Sequence, residues 1–196
     1  MVGAGVANIN AATKLIDNGY EGKITIIDMG KDPHNRLPEE VMTGMLGAGG
    51  WSDGKLTYHT SIGGQLSKYC GEEKAMELMD QVIENFKRFH PKPEAVQCSD
   101  PQEEPEFIKP YFGLRLFPVW HVGTDYLHEI GKNWYKYLVD NGVEFIWETK
   151  VHAIDFENGR VLGKSLVKDI HTEDRYDKLI FGVGNSGIDF GKQLAE

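Results

Sequence analysis

The sequence predicts a three-layer α/β domain, with a central parallel sheet, helices on one face and a small antiparallel hairpin sheet on the other. Three observations lead to this prediction. Gly3 and Gly5 precede a helical pattern that is followed at once by an apolar strand, the order helix then strand recurs between residues 124 and 147, and Asn158-Gly159 separates two strand-like runs.

The sequence predicts helices and strands that follow one another along the chain. Apolar positions at helical spacing predict a helix that ends near Gly19, and residues 23 to 28 read as a buried strand. A strongly amphipathic helix is predicted over 72 to 89. Thr124 is a candidate cap for a helix through Asn141, before a strand at 143 to 147. Residues 151 to 170 predict a hairpin, and residues 176 to 187 predict one more buried strand that ends in a glycine turn.

The connecting segments carry their own signals. Residues 29 to 62 show no periodicity, and because long unpatterned loops in compact domains tend to be functional, this loop is the main site candidate. Residues 90 to 110 are rich in proline and predict a surface excursion. We expect one domain over residues 1 to 196, with a helical and loop excursion at about 65 to 116 packed at an edge.

Composition narrows the classes of function. The formal net charge of −9 repels nucleic acid, and no apolar run is long enough to cross a bilayer. Cys70 and Cys98 have neither a CxxC spacing nor histidines at metal-ligand spacing, which favours a reducing, cytoplasmic setting without a metal site. The expected partners are therefore a small-molecule substrate and a protein partner or a second copy of the chain.

The first glycines favour a dinucleotide site. Gly3 and Gly5 at a helix start allow a tight turn and close approach of a pyrophosphate to the free N–H groups of the helix, which include those of Val6 and Ala7. Asp28 ends the next strand, where an acid accepts hydrogen bonds from ribose hydroxyls. Asn8 replaces the third glycine of the usual motif, so helix and strand should pack less closely. A plain turn is the alternative, and NAD and FAD both stay open.

Several further blocks share an order and spacing with a known family. They are Gly3-Ala4-Gly5, Asp28 with Arg36, GAGGWSDGKL at residues 47 to 56, HVGTDYL at residues 121 to 127 and VGNSGID at residues 183 to 189. With these blocks the sequence resembles the largely uncharacterised FAD-dependent dehydrogenases, which are related to the glutathione-reductase-like FAD/NAD(P)-binding flavoproteins. The resemblance spans nearly the whole chain and implies a Rossmann-like fold and an FAD-dependent oxidoreductase.

The resemblance also implies a set of site residues. FAD would lie across the strand ends, with the Gly49-Gly50 turn and Ser52 near the flavin or pyrophosphate and the residues around Val151 near the adenine. NAD(P)H is a candidate electron donor. The full set of expected cofactor-binding residues is Gly3, Gly5, Val6, Ala7, Asn8, Asp28, Met29, Arg36, Gly49, Gly50, Ser52, Lys55, Val151, Gly182 and Gly184.

Other interpretations stay open beside this one. No residue identifies itself as an acid, base or nucleophile, and His121 is as consistent with orienting its loop as with contacting a substrate. Only Met1 and Val2 precede Gly3, and the sequence ends soon after residue 189, so we expect a piece of a longer flavoprotein with an exposed sheet edge. The alternatives are a truncated, non-catalytic nucleotide-binding or protein-interaction module and, less consistent with the hairpin at 151 to 170, an NAD-only protein.

Overall fold

The structure, a computed structural model, describes residues 1–101, 103, 106–107, 109–184, 187 and 190–191. The chain forms two compact units, one made of Met1–Trp51 and Gly131–Glu196 and the other of Ser52–Ile130. The excursion expected at about 65 to 116 lies within the second unit. That the whole chain acts as a single domain stays a prediction.

The described part of the chain contains both helices and strands. The helices are α1 (Val6–Asp17), α2 (Leu66–Cys70), α3 (Glu72–Phe89) and α4 (Leu127–Asp140). The strands are β1 (Thr25–Ile27), β2 (Lys55–Thr57), β3 (Gln97–Ser99), β4 (Val119–His121), β5 (Glu144–Ile146), β6 (Thr149–Asp155), β7 (Arg160–Ser165) and β8 (His171–Arg175). Short 3₁₀ turns occupy Gly47–Trp51, Pro93–Ala95 and Thr124–Tyr126.

A parallel ladder lies in the first unit. Strand β1 pairs with β5 in parallel, and Val2 forms single parallel bridges to Ile27 and to Phe181. The prediction of a strand over residues 176 to 187 is wrong, because the described residues of this segment form only a single β-bridge, at Phe181. Val2 forms two backbone hydrogen bonds there, to Ile180 and from Gly182, each at 2.9 Å, and the chain turns at the next residue, Gly3.

Helix α1 is held in the first unit by an apolar face and one buried hydrogen bond. Ile9 and Ala12 are fully buried, and burial of a large aliphatic side chain stabilises a fold by about 1.5–3 kcal/mol. The indole Nε1 of Trp134 on α4 donates to the hydroxyl oxygen of Thr13 at 2.7 Å. The helix ends near residue 18, where Gly19 adopts a φ of 74°, as the sequence predicted.

An antiparallel sheet of three strands, ordered β6-β7-β8, completes the first unit. The predicted hairpin around Asn158-Gly159 is confirmed, with Asp155 accepting hydrogen bonds from the side chain and backbone of Asn158. Strand β8 escaped prediction because its sequence, HTEDR, is polar throughout and shows no apolar alternation.

The second unit combines α2 and α3 with an antiparallel sheet ordered β2-β4-β3. Helix α3 has the predicted bounds and buries Ala75, Ile83, Phe86 and Phe89. The three strands have three residues each, too short for periodicity to reveal them. Thr124 begins a 3₁₀ turn instead of capping the helix directly; its hydroxyl donates to the carbonyl oxygen of Asp53 at 3.0 Å, and α4 starts at Leu127.

The architecture is therefore mixed α/β, with one parallel pairing and two antiparallel sheets. This agrees with the predicted fold class at that level. The three-layer, Rossmann-like arrangement stays a prediction.

Candidate dinucleotide-binding site

A cavity of about 700 Å³ lies in the first unit. Five stretches of the sequence contribute to its walls: the Gly3–Ala7 turn, the end of β1 from Ile27 to Met29, the loop from Met42 to Gly49, the first residues of β6, and the Gly182–Gly184 segment. Small-molecule sites have volumes of about 300–1,000 Å³. The cavity is therefore large enough for a cofactor-sized ligand.

The glycine turn at the start of α1 depends on one glycine in particular. Gly3 has a φ of +95°, and a Cβ atom there would overlap the carbonyl oxygen of Gly182. Gly5 is the N-cap of α1 and has an extended conformation. Val6 and Ala7, the first two residues of the helix, line the cavity. The N–H groups of a first helical turn have no acceptor within the helix. The turn thus places the N-terminus of α1 at the cavity wall.

Asn8 is buried beneath this turn. It is 2% exposed, and its Nδ2 donates to the carbonyl oxygens of Val2 and Gly3, each at 2.8 Å. A Cβ atom on Gly182 would lie only 2.6 Å from the Oδ1 atom of Asn8. The amide therefore fills the space beside the turn and stabilises it, although it does not line the cavity.

Asp28 lines the cavity at the end of β1 and also holds the surrounding backbone. Its Oδ2 accepts the N–H of Ala4, and its Oδ1 accepts those of Gly30 and Gly44, each at 2.7 Å. A carboxylate offers about four lone-pair positions. Three backbone donors therefore leave room for about one further hydrogen bond, such as one from a ribose hydroxyl.

Arg36, one of the expected cofactor-binding residues, is surrounded by backbone carbonyls. It is 5% exposed and does not line the cavity. Its guanidinium donates to the backbone carbonyls of Glu40, Val41, Met45 and Gly47 at 2.6 to 3.0 Å. Burial lowers the pKa of Arg36 to about 10, which still leaves it a cation at neutral pH. Its observed contacts are those of a residue that shapes the loop.

The structure brings together ten of the fifteen expected site residues. The residues that line the cavity are Gly3, Gly5, Val6, Ala7, Asp28, Met29, Gly49, Val151, Gly182 and Gly184. Asn8, Arg36 and Gly50 belong to the same unit and are buried, but they do not line it. Ser52 and Lys55 belong to the second unit. That any of these residues binds a cofactor stays a prediction.

Several residues that line the cavity were not among the expected site residues. Met42, Thr43 and Leu46 come from the loop that was singled out as the main site candidate, so the signal was the loop itself and not its individual residues. Lys150 and His152 line the cavity from β6, next to the expected Val151. Of the VGNSGID block, residues 185, 186, 188 and 189 lie outside the described residues.

The SDGKL part of the first long block, at residues 52 to 56, and the HVGTD part of the second, at residues 121 to 125, meet in the second unit. The N–H of Val122 donates to the carbonyl oxygen of Gly54 at 2.8 Å, which joins HVGTD to SDGKL. Lys55 pairs with Asp53 at 2.9 Å on the surface, and the Nε2 atom of His121 lies 2.7 Å from the hydroxyl oxygen of Ser99. These contacts show that both blocks belong to one small sheet. They are compatible with His121 either orienting its loop or contacting a substrate.

Other site types find little support in the described residues. No group of three or more histidine, cysteine or acidic side chains there could hold a metal ion. Cys70 and Cys98 are free and exposed. Among the helices that the structure describes, none has the length and apolar character needed to span a bilayer.

Comparison with known proteins gives structural likenesses only. The sequence matches no protein-family model and no curated protein. Among solved structures it is similar to a flavoprotein/dehydrogenase from Cytophaga hutchinsonii (15% identity, 88% of this chain and 36% of that one, TM-score 0.44). It is also similar to the glycerol-3-phosphate dehydrogenase from Bacillus halodurans complexed with FAD (13% identity, 98% and 35%, TM-score 0.49). A third is the L-alpha-glycerophosphate oxidase from Mycoplasma pneumoniae with FAD bound (17% identity, 83% and 47%, TM-score 0.34). FAD-binding flavoproteins are thus among the structures it resembles, and it spans less than half the length of each of these three chains.

Proposed function

We propose that the first unit binds FAD in its cavity and that the chain is the nucleotide-binding part of a flavin-dependent oxidoreductase. One observation carries the proposal. Three glycine-containing segments that are distant in sequence, at residues 3 to 7, 47 to 49 and 182 to 184, line the same cavity as the acid at the end of β1. Glycines permit close backbone approach to a phosphate or a flat ring, and an acid in this place suits a ribose.

The residues that would hold the cofactor follow from this placement. The N–H groups at the start of α1 would face the pyrophosphate, because a helix N-terminus carries partial positive charge. Asp28 would accept a ribose hydroxyl in its remaining lone-pair position. When bound, FAD supplies hydride or electron transfer, and the protein supplies binding, orientation and electrostatics. NAD(P)H is our proposed electron donor.

A charge introduced at the helix start tests the proposal. Ala7 is exposed, lines the cavity and lies in the first turn of α1. In Ala7→Asp the carboxylate stabilises the helix, since acids are favourable in a first turn, but repels a pyrophosphate. The matched control Ala7→Asn has the same size without the charge. Two like charges about 4 Å apart near a protein surface repel each other by about 4 kcal/mol, and about 1.4 kcal/mol corresponds to a tenfold change in affinity. We therefore expect FAD affinity to be at least about tenfold lower in the Asp variant than in the Asn variant.

The measurement is a titration of purified chain with FAD, followed by flavin fluorescence and visible absorption, with FMN and NAD⁺ as competitors. Binding of FAD at one per chain, with little displacement by FMN, supports the proposal. Equal FAD affinity in the Asp and Asn variants would show that the pyrophosphate does not bind at the start of the helix. If the chain does not bind FAD, the proposal is wrong and the non-catalytic interaction module is favoured. If the chain binds NAD⁺ more tightly than FAD, the NAD-only alternative is favoured.

A further inference from the structure

Leu46 is held in a backbone conformation that its side chain disfavours. Its φ is +64°, in the left-handed region, where a Cβ atom comes too close to the following carbonyl oxygen. It is 1% exposed and lines the cavity between the turn at Gly44 and the 3₁₀ turn that starts at Gly47. Strained residues persist where the surroundings over-determine them, and such residues cluster at ligand sites. The contacts that hold Leu46 are therefore informative.

The guanidinium of Arg36 secures both sides of this residue. Its Nη1 donates to the carbonyl oxygen of Met45 at 2.6 Å and its Nη2 to that of Gly47 at 2.8 Å, so the two bonds flank Leu46 directly. The N–H of Leu46 donates to the carbonyl oxygen of Ala4 at 2.8 Å. Leu46 is thus held by the hydrogen bonds from Arg36 to the two neighbouring residues and by its own hydrogen bond to the glycine turn.

The geometry requires an arginine. The planar guanidinium carries five N–H donors in a fixed fork, whereas a lysine ammonium is a point charge with three donors on a flexible stem. Two further bonds, from Nε to Glu40 and from Nη2 to Val41, use two of the three other donors of the same fork. Lysine would keep the charge but could not satisfy four carbonyls spread over eight residues.

We propose that Arg36 is a positioning residue for the nucleotide: it holds the Leu46 turn as a preformed wall of the cavity, beside the turn proposed to receive the pyrophosphate. This inference rests on the proposed FAD binding. The wall reaches the helix start directly, since a Cβ atom on Gly49 would lie 2.5 Å from Cγ2 of Val6. Arg36 acts through this wall because it does not itself line the cavity.

The test compares Arg36→Lys with a matched control, Arg160→Lys, at a partly exposed ion pair on β7. Kd is measured for FAD and for AMP, and the free energy of unfolding is measured by urea. A hydrogen bond to a charged group corresponds to about tenfold or more in an equilibrium constant. We expect Arg36→Lys to raise the Kd for FAD at least about tenfold and the Kd for AMP no more than about twofold. AMP should be less affected because it lacks the part of the nucleotide beyond the first phosphate. The control should leave both unchanged.

The outcomes separate this inference from the proposed function. If the wild-type chain binds FAD and Arg36→Lys lowers FAD and AMP affinity in parallel, Arg36 is only a structural residue and the inference is wrong, while the proposed function stands. If Arg36→Lys leaves FAD affinity unchanged, the inference is also wrong. If the wild-type chain binds no FAD, both fail.

A measurement on the wild-type chain covers the case in which Arg36→Lys does not fold. Amide hydrogen exchange is followed over residues 42 to 49 with and without FAD. A preformed wall should show protection of the Leu46 amide before FAD is added and little change on binding outside the residues that line the cavity. A Leu46 amide that exchanges freely until FAD is present would overturn the inference.

Discussion

Replacing Asp28 by asparagine separates its structural role from any role toward a ligand. The carboxylate accepts three buried backbone N–H groups, from Ala4 on one oxygen and from Gly30 and Gly44 on the other. Asp28→Asn preserves the shape but turns one acceptor into an NH₂ donor. If the amide oxygen stays opposite Gly30 and Gly44, the NH₂ group faces the N–H of Ala4, and that hydrogen bond is lost.

The expected cost follows from these contacts. A hydrogen bond to a charged acceptor contributes about 1.5–3 kcal/mol, and the two that remain change from a charged to a neutral acceptor. We therefore expect Asp28→Asn to lower the free energy of unfolding by about 2–4 kcal/mol. Asp28→Ala, which leaves three buried donors unpaired, should cost at least about 3 kcal/mol.

Urea unfolding followed by circular dichroism, without any nucleotide, measures this cost. Glu39→Gln is the matched control, because Glu39 is an exposed acid on the same loop and the substitution removes the same charge. A free energy of unfolding for Asp28→Asn within about 0.5 kcal/mol of the control would refute the idea that Asp28 anchors the loop, since that is the usual range for surface substitutions.

Three further predictions concern the first unit. Trp134→Phe should cost about 1–3 kcal/mol in urea unfolding, because it removes the bond to Thr13 and leaves a gap in a fully buried site; an unchanged midpoint would contradict this. The hydrogen bonds from Asn158 lower the pKa of Asp155 to about 2, so its contribution to stability should be complete above about pH 4 and disappear as the pH falls toward 2; a carboxyl titration near pH 4 by NMR would argue against it. Gly3→Ala should lower the melting temperature and reduce FAD affinity, because a left-handed alanine costs about 1–2 kcal/mol before any overlap with Gly182; wild-type values for both would exclude the described turn.

Long periodic elements were predictable from the sequence, and short or polar ones were not. The bounds of α3 follow from apolar positions recurring over 18 residues, which give a clear 3.6-residue period. Strands β2, β3 and β4 have three residues each, so they cannot display alternation. Their pairing depends on contacts between the SDGKL and HVGTD blocks, which are about seventy residues apart, and local patterns carry no information about such pairs.

The candidate site was predictable where backbone geometry demanded particular residues. Gly3 and Asp28 have motif spacing because a tight turn and a strand-end acceptor require those residue types. The role of Arg36 could not be read in this way, since its partners are backbone carbonyls and any residue type can supply a carbonyl. For the same reason the sequence identified the loop but not the lining residues Met42 and Thr43.

The way in which this loop is held has a consequence for its evolution. Asp28 and Arg36 hold residues 40 to 47 by hydrogen bonds to peptide groups, so these bonds do not depend on the side chains at positions 41 to 43. The side chains of Val41, Met42 and Thr43 are consequently free to change by mutation. The other positions are constrained, because Glu40 pairs with Lys31, Gly44 has a positive φ and Met45 is only 2% exposed. Descendants of such a protein could acquire a new ligand preference through single substitutions at Met42 or Thr43 while inheriting the loop's shape intact.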